Sequence, residues 1–140
     1  MALLIQTVGI ALIAVLSLFL TRSIRSFGHA TGDEVIRAVS RAIRSVVRAD
    51  DLVFRWGGDE FLAILFGVSE LEARRRFDDL NVVLARVSVS GSREPIAVTV
   101  SCGIAPFGND GVCLEAAIDS AADAMYRRKQ SRRKSAAAEG

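Results

Sequence analysis

Asp59 and Glu60 follow directly on Gly57-Gly58, with the apolar residues Leu52-Val53-Phe54 before them and Phe61 to Leu65 after. Paired glycines between apolar runs predict a hairpin with a two-residue turn, both central residues at positive φ, which glycine adopts without a Cβ clash. A glycine tip also lets a ligand come close to bare backbone. Side chains alternate along a strand, so the two acids point to opposite faces and at most one of them meets such a ligand. The plainer alternative is a hairpin whose acids are simply solvated.

Several elements must position that tip. Val35, Ile36, Val39, Ala42, Ile43, Val46 and Val47 recur at helical intervals, and Thr31 and Glu34 have capping-box spacing, which predicts an amphipathic helix over Asp33 to Arg48. Ser69 and Glu72 repeat that spacing ahead of a second helix reaching about Val87, with Phe77, Leu80 and Leu84 inward. Gly91, Ser92 and Pro95 mark a turn, Ile96 to Ala105 reads as a strand, and an alanine-rich helix runs from Leu114 to about Arg128 after a loop through Gly108 to Gly111. This order suits an α/β sandwich with helices over a sheet.

Composition narrows the class of function. At 140 residues, 51% of them hydrophobic, the chain holds one domain with a real core. The net charge is +2, yet Arg127, Arg128, Lys129, Arg132, Arg133 and Lys134 are six of the 18 basic residues, and without them 12 bases face 16 acids. The positive sign therefore belongs to one segment, and with no aromatics interleaved there, nucleic-acid binding is not expected. Cys102 and Cys113 lack metal-type spacing and read as free thiols, while the lone His29 reads as a turn residue.

Ala2 to Leu20 carries no charge, and as a helix its nineteen residues would span roughly 28 Å, close to the thickness of a bilayer core. Arg22 and Arg25 would then keep the remainder in the cytoplasm. The preferred reading is an inner-membrane helix within residues 1–26; the alternatives are a strand over Ile10 to Leu20 buried on both faces, with the protein cytoplasmic.

Gly57-Gly58-Asp59-Glu60-Phe61 resembles the signature of the GGDEF family, diguanylate cyclases that join two GTP into cyclic di-GMP. Other stretches agree with it in order and spacing: Gly28-His29, Gly32-Asp33, Arg48 with Asp51, Ser101 with Gly103, and Ala122 to Arg133. The resemblance implies a GGDEF-type sandwich over residues 27–134, with a central mixed sheet, followed by a disordered tail at 135–140. It implies that Asp59 is catalytic and binds Mg2+ or Mn2+, that Asp33, Gly57, Gly58, Lys129 and Arg133 bind GTP, and that Arg48 and Asp51 form the inhibitory cyclic di-GMP site. A guanidinium can grip phosphate or a guanine edge bidentately, and a carboxylate accepts from guanine N–H groups.

The chain departs from the family at its first strand. Counted back without gaps, Leu16 and Leu18 stand where the family has aspartates, Thr21 where it has lysine, and Ile24 where it has a guanine-binding asparagine. Leucine cannot ligate a cation that prefers oxygen, and isoleucine cannot hydrogen-bond a base edge. The first strand is thus degenerate or missing. Arg132 also replaces a glycine usual in the family's terminal motif. The expected function is a weak or inactive cyclase-family domain that still binds cyclic di-GMP and, weakly, GTP. The alternatives are an active homodimeric cyclase and a truncated product without function.

Overall fold

The computed structural model describes residues 11–20, 29–85, 87–89, 93–108 and 113–139. In chain order the elements are β1 (Ala11–Leu20), α1 (His29–Val46), β2 (Leu52–Arg55), β3 (Glu60–Phe66), α2 (Glu70–Leu84), β4 (Val98–Phe107) and α3 (Leu114–Glu139). The strands lie in the order β2-β3-β1-β4, giving the β-α-β-β-α-β arrangement with one further helix. Among the described residues the ladders are all antiparallel, whereas a mixed sheet was expected.

Strand alternation divides the core between the sheet's two faces. From β3, Phe61, Ala63 and Leu65 join Leu16 of β1, Cys102 and Ile104 of β4, the Val35-Val39-Ile43 stripe of α1, and Phe77 and Leu80 of α2. Leu62 takes the other face, packing with Ala105 against Ala117, Ala121 and Met125 of α3. The sheet is therefore a middle layer between α1 and α2 on one side and α3 on the other.

One position sets how closely α3 can approach. A Cβ on Gly103 would collide with the Ala121 carbonyl oxygen and the Met125 nitrogen. The glycine that resembles part of a family motif thus has a packing reason: it lets helix backbone lie against strand backbone.

The apolar N-terminal segment resolves in favour of the strand. Ala11–Leu20 pairs with β3 on one side and with β4 on the other, so the residues in those ladders cannot form a membrane helix. Among the described residues no helix is long and apolar enough to cross a membrane. A central strand covered on both faces needs the same unbroken apolar composition as a bilayer span, which is why the two were hard to separate. Residues 2–10 lie outside the described residues, as do Thr21, Ile24, Gly28 and the 109–112 loop. β1 therefore lies in the same sheet as β2, β3 and β4.

Other bounds shift too. Helix α1 begins at His29, which puts Thr31 inside its first turn instead of at its cap. Ser69 does cap α2, its Oγ accepting from the Glu72 N–H at 3.1 Å. Ile96 forms an isolated bridge with Val87, and β4 proper begins at Val98. The expected disordered tail is instead helical through Glu139. Ser135-Ala136-Ala137-Ala138-Glu139 is mostly alanine, and Arg132 continues the helix where a glycine would favour an ending.

Candidate functional site

The tip of the β2–β3 hairpin is the loop 56–59, and its backbone corrects the turn expected from the sequence. Neither Gly57 nor Gly58 is among the glycines with positive φ. The Trp56 and Gly57 N–H groups instead share the Glu60 carbonyl at 2.8 and 3.2 Å. Arg55 holds the loop from below, its Nε donating to the Gly57 carbonyl at 3.3 Å and its Nη2 to that of Gly58 at 2.9 Å. A Cβ at Gly58 would meet nothing within 4 Å, and one at Gly57 would make only ordinary contacts with Glu60. Local packing therefore does not demand glycine at either place.

Helix α3 comes up beside this loop. Lys129 Nζ lies 3.8 Å from Asp59 Oδ2, with the lysine side chain 15% exposed and the aspartate 61%. One turn earlier, Tyr126 donates its hydroxyl to Glu60 Oε1 at 2.8 Å. Residues three apart share a helix face, so Tyr126 and Lys129 engage neighbouring acids together. The hydrogen bond to the Glu60 carboxylate, reinforced by its charge, raises the Tyr126 phenol above its usual pKa. Both acids therefore meet the same helix, where strand alternation predicted opposite faces; Asp59 lies in the loop, before β3 begins at Glu60. Sequence reasoning weighed Glu60 beside Asp59 but assigned a site role to neither Glu60 nor Tyr126, although the three-residue step from Tyr126 to Lys129 was a usable signal.

The remaining predicted residues are spread around this centre. Asp33 is exposed near the start of α1. Arg133 and Lys129 line a small cavity with Ser101 and Arg132, about 20 Å³ in volume. The structure thus brings Asp59, Gly57, Gly58 and Lys129 together and places Arg133 on the same helix.

Arg48 and Asp51 sit at the opposite end of β3, and only the arginine faces solvent. Asp51 is 2% exposed. Its Oδ2 accepts from the Arg48 N–H at 2.8 Å and its Oδ1 from the Phe66 N–H at 3.0 Å. The Asp51 carbonyl accepts from Arg44 Nη1 at 3.3 Å. This carboxylate ties the end of α1 to the end of β3, an architectural task that the motif did not reveal.

The donor set for a divalent cation is short. Among the described residues no three His, Cys, Asp or Glu side chains converge as ligands would. Leu16, standing where the family has a carboxylate, is fully buried and registered between Phe61 and Cys102. Asp59 meets a cation already, in Lys129. Ca2+ and Mg2+ sites rely on several oxygen donors, so these residues do not fit a resident metal.

Known proteins match this arrangement. The sequence profile described as "Diguanylate cyclase, GGDEF domain" matches residues 9–135, β1 included. Diguanylate cyclase DosC of Escherichia coli K12 is 38% identical over 106 residues, covering 75% of this chain and 23% of DosC. Response regulator PleD of Caulobacter vibrioides is 36% identical over 115 residues, covering 77% of this chain and 24% of PleD. The chain spans about a quarter of the length of these relatives. Among solved structures, the GGDEF domain of DgcB from Caulobacter crescentus in complex with c-di-GMP superposes with a TM-score of 0.77 at 26% identity, covering 87% of this chain and 73% of that one. Diguanylate cyclase SiaD of Pseudomonas aeruginosa, solved with its activator SiaC, also gives 0.77, at 27% identity over 88% of this chain and 47% of that one. The hairpin, the sheet and the match over residues 9–135 together show that this chain belongs to the GGDEF diguanylate cyclase domain family.

Proposed function

We propose that this domain serves cyclic di-GMP signalling as a guanine-nucleotide binder with weak or absent cyclase activity. The observation that carries the reading is Leu16: at a position where the family has a carboxylate, this chain has a fully buried leucine with Phe61 and Cys102 as its strand partners. A hydrocarbon there supplies neither a ligand nor a proton acceptor. Asp59 remains, held near Lys129, and no catalytic step through a metal is derived from it.

Binding is better supported than turnover. Gly57 and Gly58 are not required by their own packing, and a tip without Cβ atoms leaves room for a nucleotide against the backbone. Lys129 and Arg133 would meet its phosphates, and Asp33 its base. At the far end of β3 the exposed Arg48 is the group that would grip cyclic di-GMP. Asp51 supports it from behind, since its carboxylate fixes the Arg48 backbone. Membrane attachment through residues 2–20 forms no part of this reading, because Ala11–Leu20 is used by the sheet.

Isothermal titration of the full chain with cyclic di-GMP tests it. Saturable heat that Arg48→Ala weakens is the expected result. A cooperatively folded protein that gives no heat would remove the reading.

A further inference from the structure

Around the outer edge of β4, away from the hairpin, the fold leaves a cleft of about 220 Å³ between α2 and α3. Arg74 and Asp78 enter it from α2, Arg128 and Arg132 from α3, with Phe77 and Ser101 among the residues that line it. An edge strand has backbone groups to satisfy, and one part of this edge is closed internally. Asn81 accepts from the Val100 N–H at 2.7 Å and donates to the Val100 carbonyl at 3.2 Å, standing in for a strand partner.

The next residue is not satisfied. Ser101 is 1% exposed, and its Oγ has no hydrogen-bond partner among the described residues. A hydroxyl buried without a partner is destabilising, and one beside guanidinium groups would be satisfied by a ligand that accepts its proton. Charge makes the same demand: three arginines face one carboxylate, Asp78. Arg74 is also 3.5 Å from Glu70, an exposed pair that competes weakly for it. Cys102 lends no nucleophile here, because burial pushes its thiol up to about 12 against the pull of Arg74 and Arg128.

From these observations we infer that the cleft is an anion site for a phosphate monoester on a small organic body, with Arg74, Arg128 and Arg132 facing the phosphate and Ser101 Oγ donating to it. Guanidinium suits phosphate because it offers paired N–H donors in a planar fork. The volume lies below the roughly 300–1,000 Å³ of pockets for drug-sized ligands, which sets the size of the organic part. Lys129 and Arg133 do not line this cleft, whereas Ser101 and Arg132 line both it and the small cavity beside those two residues.

Inorganic phosphate is the probe, titrated at constant ionic strength into isotope-labelled full-length protein and followed through amide resonances. Saturable shifts at Asn81, Ser101 and Cys102 with millimolar affinity, roughly 1–10 mM, are expected. Arg128→Gln and Ser101→Ala should each weaken binding roughly fivefold to tenfold, in line with loss of one charge-assisted hydrogen bond. Arg37→Gln, at an exposed arginine of α1 that does not line the cleft, should leave it unchanged. Ser101→Ala should also raise the Tm, because it removes an unpartnered buried hydroxyl while filling nothing. Shifts confined to Lys129 and Arg133, shifts spread along α3 without saturation, or a lower Tm for Ser101→Ala would each overturn the assignment.

Discussion

The two ends of β3 each carry an aspartate, and the fold uses them in opposite ways. At the Phe66 end, Asp51 is buried with both carboxylate oxygens bonded to backbone N–H groups. At the Glu60 end, Asp59 is exposed and is paired with Lys129 at 3.8 Å. A carboxylate whose acceptor sites are taken by backbone donors is part of the architecture, whereas one held loosely at a bare glycine tip is available to a ligand. Glycine divides in the same way: Gly103 is pressed against helix backbone, while Gly58 has open space. Residue type alone did not separate these roles; burial and partners did.

The sharpest way to break the comparison is at Gly103. Gly103→Ala should cost ~3 kcal/mol or more, because the clash is with backbone and α3 must be displaced. Chemical denaturation measures this, and a cost below that of an exposed substitution would mean that α3 sits farther from the sheet. Gly58→Ala in the same experiment should cost less than ~1 kcal/mol, having no contact to offend.

Next comes the aspartate pair itself. Asp51→Ala should destabilise by ~2 kcal/mol, since it strips two backbone donors of their acceptor. Asp59→Ala should stay within ~0.5 kcal/mol, as expected for an exposed ion pair. Equal losses at the two positions would erase the distinction between frame and site.

The cysteines sharpen it further. Both thiols are free, Cys113 exposed and Cys102 buried. Alkylation at neutral pH should modify Cys113 rapidly and Cys102 only after unfolding, as mass spectrometry of partial digests would show. The pH dependence follows from the Cys102 shift, from 9.0 up to about 12. In the unfolded chain this thiol loses its proton first, so the unfolded state binds fewer protons above pH 9 and stability falls as pH rises. The contribution is fully present below about pH 9 and is lost as pH rises toward 12.

Much of this was legible in the sequence where the partners are near in the chain. The hairpin follows from Gly57-Gly58 and the acids between apolar runs, and the cap of α2 from Ser69 and Glu72. The glycines' backbone conformation was misjudged because Arg55 and the Glu60 carbonyl, not positive φ, shape the loop. β1 was hard to read because its partners, β3 and β4, are remote in sequence and its apolar run fits two solvents equally well. The task of Asp51 was hidden likewise, since the Phe66 N–H it accepts from lies 15 residues on. Nothing local in Arg74 or Arg128 shows that α2 and α3 face each other across the edge of β4.

The most direct test of the account is whether purified full-length protein, with GTP and Mg2+, makes cyclic di-GMP faster than its Asp59→Ala variant. The account predicts no product above the variant's background, because Leu16 supplies no ligand and Asp59 has no second carboxylate converging on it among the described residues. Product that accumulates in the natural sequence and vanishes in Asp59→Ala would contradict it and make the domain a working cyclase.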